Sequence, residues 1–396
     1  MSNLINPEPI DSDGLRHSLK QPLSLYDFTF DQLAKQLAEM GEPAFRARQI
    51  WQWIYQRMAG SIDEMSDLPK PLRAKLNEAF VLNRITLVTE AQSSDGWTRK
   101  WLLRFPDGSE IETVLMEYDG IRRTACISSQ AGCAMNCSFC ATGQMGFLRN
   151  LRAGEIIEQV MWVARHLKQP ASNIARLAAT PKSKAPEPRL NSDRLSNLVL
   201  MGMGEPFANY QNVMEAVQRV MMPEAQGGFG LGARKITVST VGLVPGIRKF
   251  AEEDSQVNLA VSLHAATDEV RDPMVPINRR YPLRELTKAV RDYLKKTNRR
   301  MSYEWALIDG VNDTPEQAEA LVELVHDTNP TRANLVHVNM IPLNPTGGFR
   351  GKASAQERRQ QFREILDRAG IPNTMRVRRG IDIAAGCGQL KAETQS

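Results

Sequence analysis

No run of about 18 apolar residues occurs in the 396-residue chain, which excludes a membrane-spanning helix. An apolar core is also missing from residues 1–25, which carry Glu8, Asp11, Asp13 and several prolines. That segment reads as a disordered tail and not as a secretory signal. Cysteines are few and odd in number, five in all, which argues against a secreted disulfide scaffold. A cytoplasmic protein that uses thiolates for chemistry is the expectation. Internal repeats and heptad arrays are absent. Charge of one sign is not in large excess either: 50 Lys and Arg face 45 Asp and Glu, a net +5. Such a balance is compatible with a nucleic-acid partner without demanding one.

The length suits two or three domains. From Phe28 to about Ala79 the pattern is helical, with Leu33, Leu37, Met40, Ile50, Trp51, Ile54 and Tyr55 at helical spacing. Within it, Phe45 to Arg57 mixes arginines and aromatics. This stretch reads either as an amphipathic helix with core aromatics and solvated arginines or as an RNA-contacting face. Residues 83–118 read as an antiparallel meander punctuated by the turn signals Asp95-Gly96, Pro106-Asp107-Gly108 and Asp119-Gly120.

From Arg122 onward strand and helix alternate. Strands are predicted at Thr124–Ser128, Asn197–Met201, Lys235–Ser239, Val257–Ser262, Tyr303–Leu307 and Leu335–Met340. Helices are predicted near Gly154–Leu167, Tyr210–Met221, Val244–Phe250, Arg284–Lys295, Pro315–His326 and Ala355–Ala369. The fold class is therefore α/β, with a parallel sheet of about six units and helices outside. A closed eight-fold barrel needs two more units, so an open, partial β/α barrel is expected. The expected organisation is a tail (1–25), an accessory domain, helical then β (26–120), the partial barrel (121–380) and a C-terminal segment (381–396). Residues 169–193, with four prolines and no aromatics, read as a flexible insertion.

The sharpest local signal is Cys133-Ala134-Met135-Asn136-Cys137-Ser138-Phe139-Cys140, a C-x3-C-x2-C loop just past the first strand. Three thiolates so close can hold one metal centre. Structural zinc takes four protein ligands, and no histidine lies between Cys126 and Cys140. A zinc loop completed by a distant ligand stays open on spacing alone. An iron–sulfur cluster tolerates three cysteines, leaving one iron for a substrate.

In this setting the loop resembles that of the radical S-adenosylmethionine (SAM) superfamily. Further motifs narrow the match: Ser128-Ser129-Gln130-Ala131-Gly132-Cys133, Phe139-Cys140-Ala141-Thr142-Gly143, Gly146-Phe147-Leu148-Arg149-Asn150-Leu151, Met201-Gly202-Met203-Gly204-Glu205-Pro206, Ser262-Leu263-His264-Ala265 and Ala385-Gly386-Cys387-Gly388-Gln389-Leu390. Together they resemble the RlmN family, radical-SAM methyltransferases acting on C2 of an adenine in 23S ribosomal RNA and in transfer RNA. The similarity runs from about Phe28 to Leu390. The 169–193 insertion lies outside the family's core pattern.

The resemblance implies a four-iron, four-sulfur cluster on Cys133, Cys137 and Cys140, its open iron binding the amino and carboxylate groups of SAM. Adenine C2 is electron-poor and cannot attack a sulfonium methyl, so a radical route is needed. In the family one cysteine is methylated by a first SAM. A radical from a second SAM abstracts hydrogen from that methyl group. The carbon then adds to the adenine, and a second cysteine releases the adduct as a disulfide. By motif Cys387 matches the methyl carrier, Cys126 the resolving thiol and Glu112 the base that takes the C2 proton. Gly204, Glu205, Ser239, Ser262, Leu263, His264 and Asn344 match SAM contacts, and Met201 a methionine beside the reacting centre. Cys126 and Cys387 are 261 positions apart, so these roles require the C-terminal segment to fold back over the barrel mouth. The implied partners are 23S rRNA, tRNA and an electron donor such as flavodoxin, with a monomer expected.

Residues 347–380 hold nine Lys or Arg against three Asp or Glu. This basic stretch just before Cys387 is where an RNA backbone is expected; near Arg358–Arg368 a solvated helix face is the competing reading. A C8-specific relative shares the cluster and both cysteines. The reading from another class is a non-enzymatic, zinc-containing RNA-binding protein.

Overall fold

β-branched and aromatic runs between turn signals assemble one ten-stranded sheet. The computed structural model describes residues 23–118, 122–168, 194–329 and 333–390. The expected insertion at 169–193, residues 1–22 of the tail and the Asp119-Gly120 turn lie outside the described residues. Two short strands, β1 (Leu23–Ser24) and β2 (Phe80–Val81), pair in parallel. The described residues begin at Leu23, inside the expected tail 1–25, and Leu25 and Tyr26 there are fully buried.

The meander is β3 (Thr86–Gln92), β4 (Thr98–Arg104) and β5 (Glu110–Tyr118), each antiparallel to the next. It continues into β6 (Arg122–Cys126), which pairs antiparallel with β5. A small antiparallel pair, β7 (Gln130–Gly132) and β8 (Phe147–Asn150), frames the cysteine loop. The parallel part runs from β6 through β9 (Asn197–Leu200), β10 (Ile236–Thr240), β11 (Asn258–Ser262), β12 (Met301–Leu307) and β13 (Val336–Pro342). A three-residue strand, β14 (Asn373–Met375), adds a further parallel partner beyond β13. It was not foreseen, because three residues carry no readable periodicity. The sheet ends at β14 on one side and β3 on the other, so the barrel is open.

Helices cover the parallel part at Ala153–Lys168, Tyr210–Met221, Val244–Ala251, Leu283–Thr297, Pro315–Thr328 and Gln356–Arg368. β12 and the centre of β11 are mostly buried, as strands covered on both faces should be. At the other end, helices Phe30–Glu39, Phe45–Gln52 and Lys70–Ala79 pack as a small unit. Thr29 and Gln32 start the first of them with a reciprocal capping box. In the mixed arginine and aromatic stretch, Ala47, Ile50, Trp51, Ile54 and Tyr55 are buried, whereas Phe45 is 56% exposed. The periodic aromatics are thus core, and Arg57 stacks over Trp53 at 4.2 Å.

One buried carboxylate ties three parts together. Glu158, fully buried on the helix Ala153–Lys168, accepts the backbone N–H of Ile85 at 2.9 Å and that of Arg84. The Arg84 guanidinium lies 3.5 Å from Glu158 and 2.7 Å from Asp27 of the N-terminal unit. Removing one partner of a buried pair leaves the other charge stranded. We predict that Glu158→Ala costs about 3–5 kcal/mol of unfolding free energy, and Glu158→Gln less because it keeps an acceptor. Denaturant titration checks this; an alanine variant within about 1 kcal/mol of the parent contradicts it.

Candidate active site

The carboxyl ends of the parallel strands open into one cavity with about 1060 Å³ of empty space, part of it continuous with solvent. Strand ends at a barrel mouth are where such folds place their chemistry. Cys133, Cys137 and Cys140 all line it. The loop is held from several sides. Cys133 N–H donates to Gly146 O at 2.7 Å, Ser138 N–H to Met274 O at 3.0 Å, and Cys140 N–H to Cys137 O at 3.1 Å. Gly132 must be glycine, since its φ is +75° and a Cβ would stand 2.1 Å from Gly146 O.

Burial pushes the Cys133 thiol up to about 12, and the Cys137 and Cys140 thiols also rise, burial being the first cause in each. Opposing this, N–H groups of Met135, Thr142 and Gly143 hydrogen-bond to the Cys133 and Cys140 sulfurs. Such donors suit thiolate ligands. Among the described residues no three His, Cys, Asp or Glu side chains converge on a single-ion site. A four-iron cluster takes each thiolate on a different iron, so three separated sulfurs around one cavity fit it.

The remaining wall gathers most of the residues expected to bind SAM: Gly204, Glu205, Ser239, Ser262, His264 and Asn344, together with Met201. Gly204 follows β9 with φ +99°, where a Cβ would lie 2.5 Å from Gln130 Cβ. Glu205 accepts the N–H of Val241 at 2.7 Å and of Phe207 at 3.0 Å. Burial nonetheless raises its carboxyl to about 7. Ser239 Oγ donates to Leu200 O at 2.6 Å. His264 has φ +61°, a left-handed conformation costly for a non-glycine residue and frequent at functional sites. Its Nδ1 accepts Ala306 N–H at 3.0 Å, leaving Nε2 as the donor of the neutral ring. Burial, then Arg271, pushes this imidazole down to about 3, so it is neutral throughout the physiological range. Asn344 Nδ2 donates to Cys387 O at 3.1 Å, while its Oδ1 is buried without a hydrogen bond among the described residues. An orphaned acceptor in the wall fits a ligand that brings a donor.

Two expected residues stand elsewhere. Leu263 does not line the cavity. It is buried and contributes backbone groups, its N–H to Glu304 O at 3.0 Å and its O to Arg271 Nε at 2.9 Å. Glu112 on β5 is buried behind the wall with its carboxylate 2.7 Å from Lys100 Nζ. Lys100 also donates to Ala384 O at 3.3 Å, so this pair abuts the loop that carries Cys387.

The C-terminal segment does fold back. Ala141 N–H donates to Gly388 O at 2.7 Å, Thr142 Oγ1 to Leu390 O at 2.7 Å, and Gln389 Nε2 to Pro345 O at 3.0 Å. Gly386 fits because a Cβ there would meet Asn344 Nδ2 at 2.6 Å. Cys387 and Leu390 line the main cavity and also an adjoining recess, which contains Cys126, Met201, Tyr118 and Arg376. The two cysteines left over from the loop thus meet in one recess. Cys126 is buried and Cys387 exposed. Burial first, then Cys387, pushes the Cys126 thiol up to about 12, opposed by Met201 N–H and Arg376.

The basic stretch divides in two. Arg358 pairs with Asp313 at 3.2 Å and Arg363 with Asp367 at 3.5 Å, a solvated helix face. Arg376, Arg378 and Arg379 line the cysteine recess. Arg379 stacks over Tyr118 at 4.8 Å, and Arg122 over the same ring at 3.9 Å. Sequence reasoning missed two features of this site. Arg376 was read only as part of a charge run. Glu304 was not singled out, although it is 5% exposed and lines the main cavity. A charged residue between the apolar positions of a covered parallel strand was the available signal.

Thiol reactivity follows exposure and thiolate fraction. We predict that, in cluster-free protein near pH 8, an alkylating reagent modifies Cys387 at least about tenfold faster than Cys126. Raising the pH should narrow the gap. Timed alkylation with peptide mass spectrometry measures it, and faster labelling of Cys126 overturns it.

Comparison with known proteins gives the family. Residues 23–82 match the ribosomal RNA large subunit methyltransferase N-terminal domain. A probable dual-specificity RNA methyltransferase RlmN of Chloroflexus aurantiacus is 46% identical over 374 residues, spanning 94% of each chain. A similarly described RlmN 2 of Opitutus terrae is 46% identical over 387 residues, 95% of this chain and 88% of that one. The crystal structure of a radical SAM methyltransferase from Sphaerobacter thermophilus matches with a TM-score of 0.83 and 48% identity, covering 94% of this chain and all of the other. With its three loop cysteines at the mouth of an open β/α barrel, this chain belongs to the RlmN family of radical-SAM RNA methyltransferases.

Proposed function

We propose that this enzyme methylates C2 of an adenine in 23S rRNA and of an adenine in tRNA, using two SAM molecules, a methylated Cys387 and a transient disulfide to Cys126. One observation carries the reading: Cys126 and Cys387 line a single recess that adjoins the cavity of Cys133, Cys137 and Cys140. A four-iron cluster held by those three cysteines, with SAM bound, would supply the radical that starts the chemistry.

The chain's own groups have separable tasks. Asn344 fixes the backbone of Cys387 at the cavity wall, so the thiol that takes the methyl group from the first SAM faces the second SAM. Neutral His264 and the buried Glu205 line the SAM cavity. A flipped or unstacked adenine enters over the recess, its backbone met by Arg378 and Arg379. Once the carbon, short of one hydrogen, has bonded to C2 and the adduct has given up one electron, which the cluster would take back, Glu112 collects the C2 proton. The Cys126 thiolate attacks the Cys387 sulfur: the disulfide forms, the bond between Cys387 sulfur and the transferred carbon breaks, its electron pair stays on the carbon side, and a proton completes the methyl group. A reducing cytoplasm reopens that disulfide for the next turnover. An electron donor such as a flavodoxin completes the partner set.

We predict that reconstituted enzyme with SAM, reductant and RNA yields 2-methyladenosine in nuclease digests, read by mass spectrometry. A product consisting only of 8-methyladenosine overturns the C2 assignment. Cys126→Ala should accumulate a covalent RNA–protein adduct through Cys387. If Cys387→Ala accumulates that adduct instead, the two roles are reversed.

A further inference from the structure

The cavity wall contains a buried acceptor that the resemblance does not assign. Glu304 sits at the centre of β12, directly beside Ser262 of β11 and Asn339 of β13 in the strand register. Its side chain is fixed from one side. Oε1 accepts Ser302 Oγ at 2.8 Å and Asn339 Nδ2 at 2.9 Å. Oε2 is buried and makes no hydrogen bond among the described residues. Its ion-pair partner, Arg376 Nη1, stands 3.9 Å away, beyond hydrogen-bond reach. A carboxylate oxygen removed from water without a donor is costly, and native structures rarely leave one so. Here the residue lines the main cavity, so the missing donor can arrive with a ligand.

Resting on the SAM reading above, we propose that Glu304 is a SAM-binding residue whose Oε2 accepts a hydrogen bond from a ribose hydroxyl of the nucleoside half. A carboxylate accepts only, so its partner must be a donor or a cation. The amino group of SAM is expected at the cluster, and the sulfonium has no proton to give. The donors left are the ribose diol and the adenine N6 amino group, and of these the diol is the one that an acidic side chain recurrently holds in nucleotide folds. Ser302 and Asn339 hold Oε1, which aims Oε2 without help from the ligand. Arg376 places the same carboxylate within electrostatic reach of the cysteine recess, so one side chain spans the wall between nucleoside and thiol.

The test titrates S-adenosylhomocysteine and its 2′-deoxy and 3′-deoxy counterparts into full-length, anaerobically reconstituted protein by calorimetry. A hydrogen bond to a charged group is worth about 10- to 100-fold in affinity. Wild type should lose that factor on at least one deoxy probe. Glu304→Gln should lose a similar factor on S-adenosylhomocysteine and then no longer discriminate between the probes. Wild type that binds all three alike overturns the inference, whether or not the variant folds. A variant that binds S-adenosylhomocysteine within about twofold of wild type, or still discriminates fully, overturns it too. If wild type binds none of the probes, the SAM reading itself fails and the inference falls with it.

Discussion

The strap that draws the C-terminal loop across the barrel mouth is the constraint on which the proposed chemistry depends. Three of its hydrogen bonds start from the residues immediately after the last loop cysteine, Ala141 and Thr142, and from Asn344 past the end of β13. They end on backbone carbonyls of Cys387, Gly388 and Leu390. The loop that would hold the cluster and the loop that carries the exposed cysteine therefore position one another. Each such bond contributes about 0.5–1.5 kcal/mol net, so the strap holds through several weak contacts and no single strong one.

Beneath the strap, the wall follows a consistent rule. Polar groups at the strand ends spend their backbone-facing atoms on the scaffold and turn the remainder to the cavity. Ser239 bonds Leu200 O, His264 takes Ala306 N–H on Nδ1, and Asn344 uses its amide on Cys387 O. Fixing one end of each side chain pre-orients the other, which limits the entropy lost when a ligand binds. Arg271, fully buried, supports this arrangement by donating to the carbonyls of Val241, Ser262 and Leu263.

Much of this was legible in the sequence. The six main parallel strands, the helices between them and the meander followed from residue periodicity and turn dipeptides, because local pattern and burial agree there. The cysteine loop was legible from spacing alone, since the ligand set is contiguous. The Cys126–Cys387 meeting was a requirement of the resemblance and not a reading of spacing; tertiary folding brings together residues 261 positions apart. Glu304 and Arg376 stayed hidden for the same reason, each being one charge among many until β12 and the segment after β14 are packed. For the basic stretch the sequence left an RNA-contacting segment and a solvated helix face near Arg358–Arg368 both open, because Arg358 finds Asp313 only through tertiary packing. The pairing of β5 with β6 depends on hydrogen bonds between strands and leaves no mark on the composition of either.

The central claim is that Cys133, Cys137 and Cys140 hold an iron–sulfur cluster at the mouth of this barrel. Metal analysis of anaerobically reconstituted protein, with its visible absorbance, tests it most directly. The account predicts about four irons and matching sulfide per chain, a brown protein, and loss of both when any one of the three cysteines is replaced by alanine. A colourless protein carrying one zinc would contradict it.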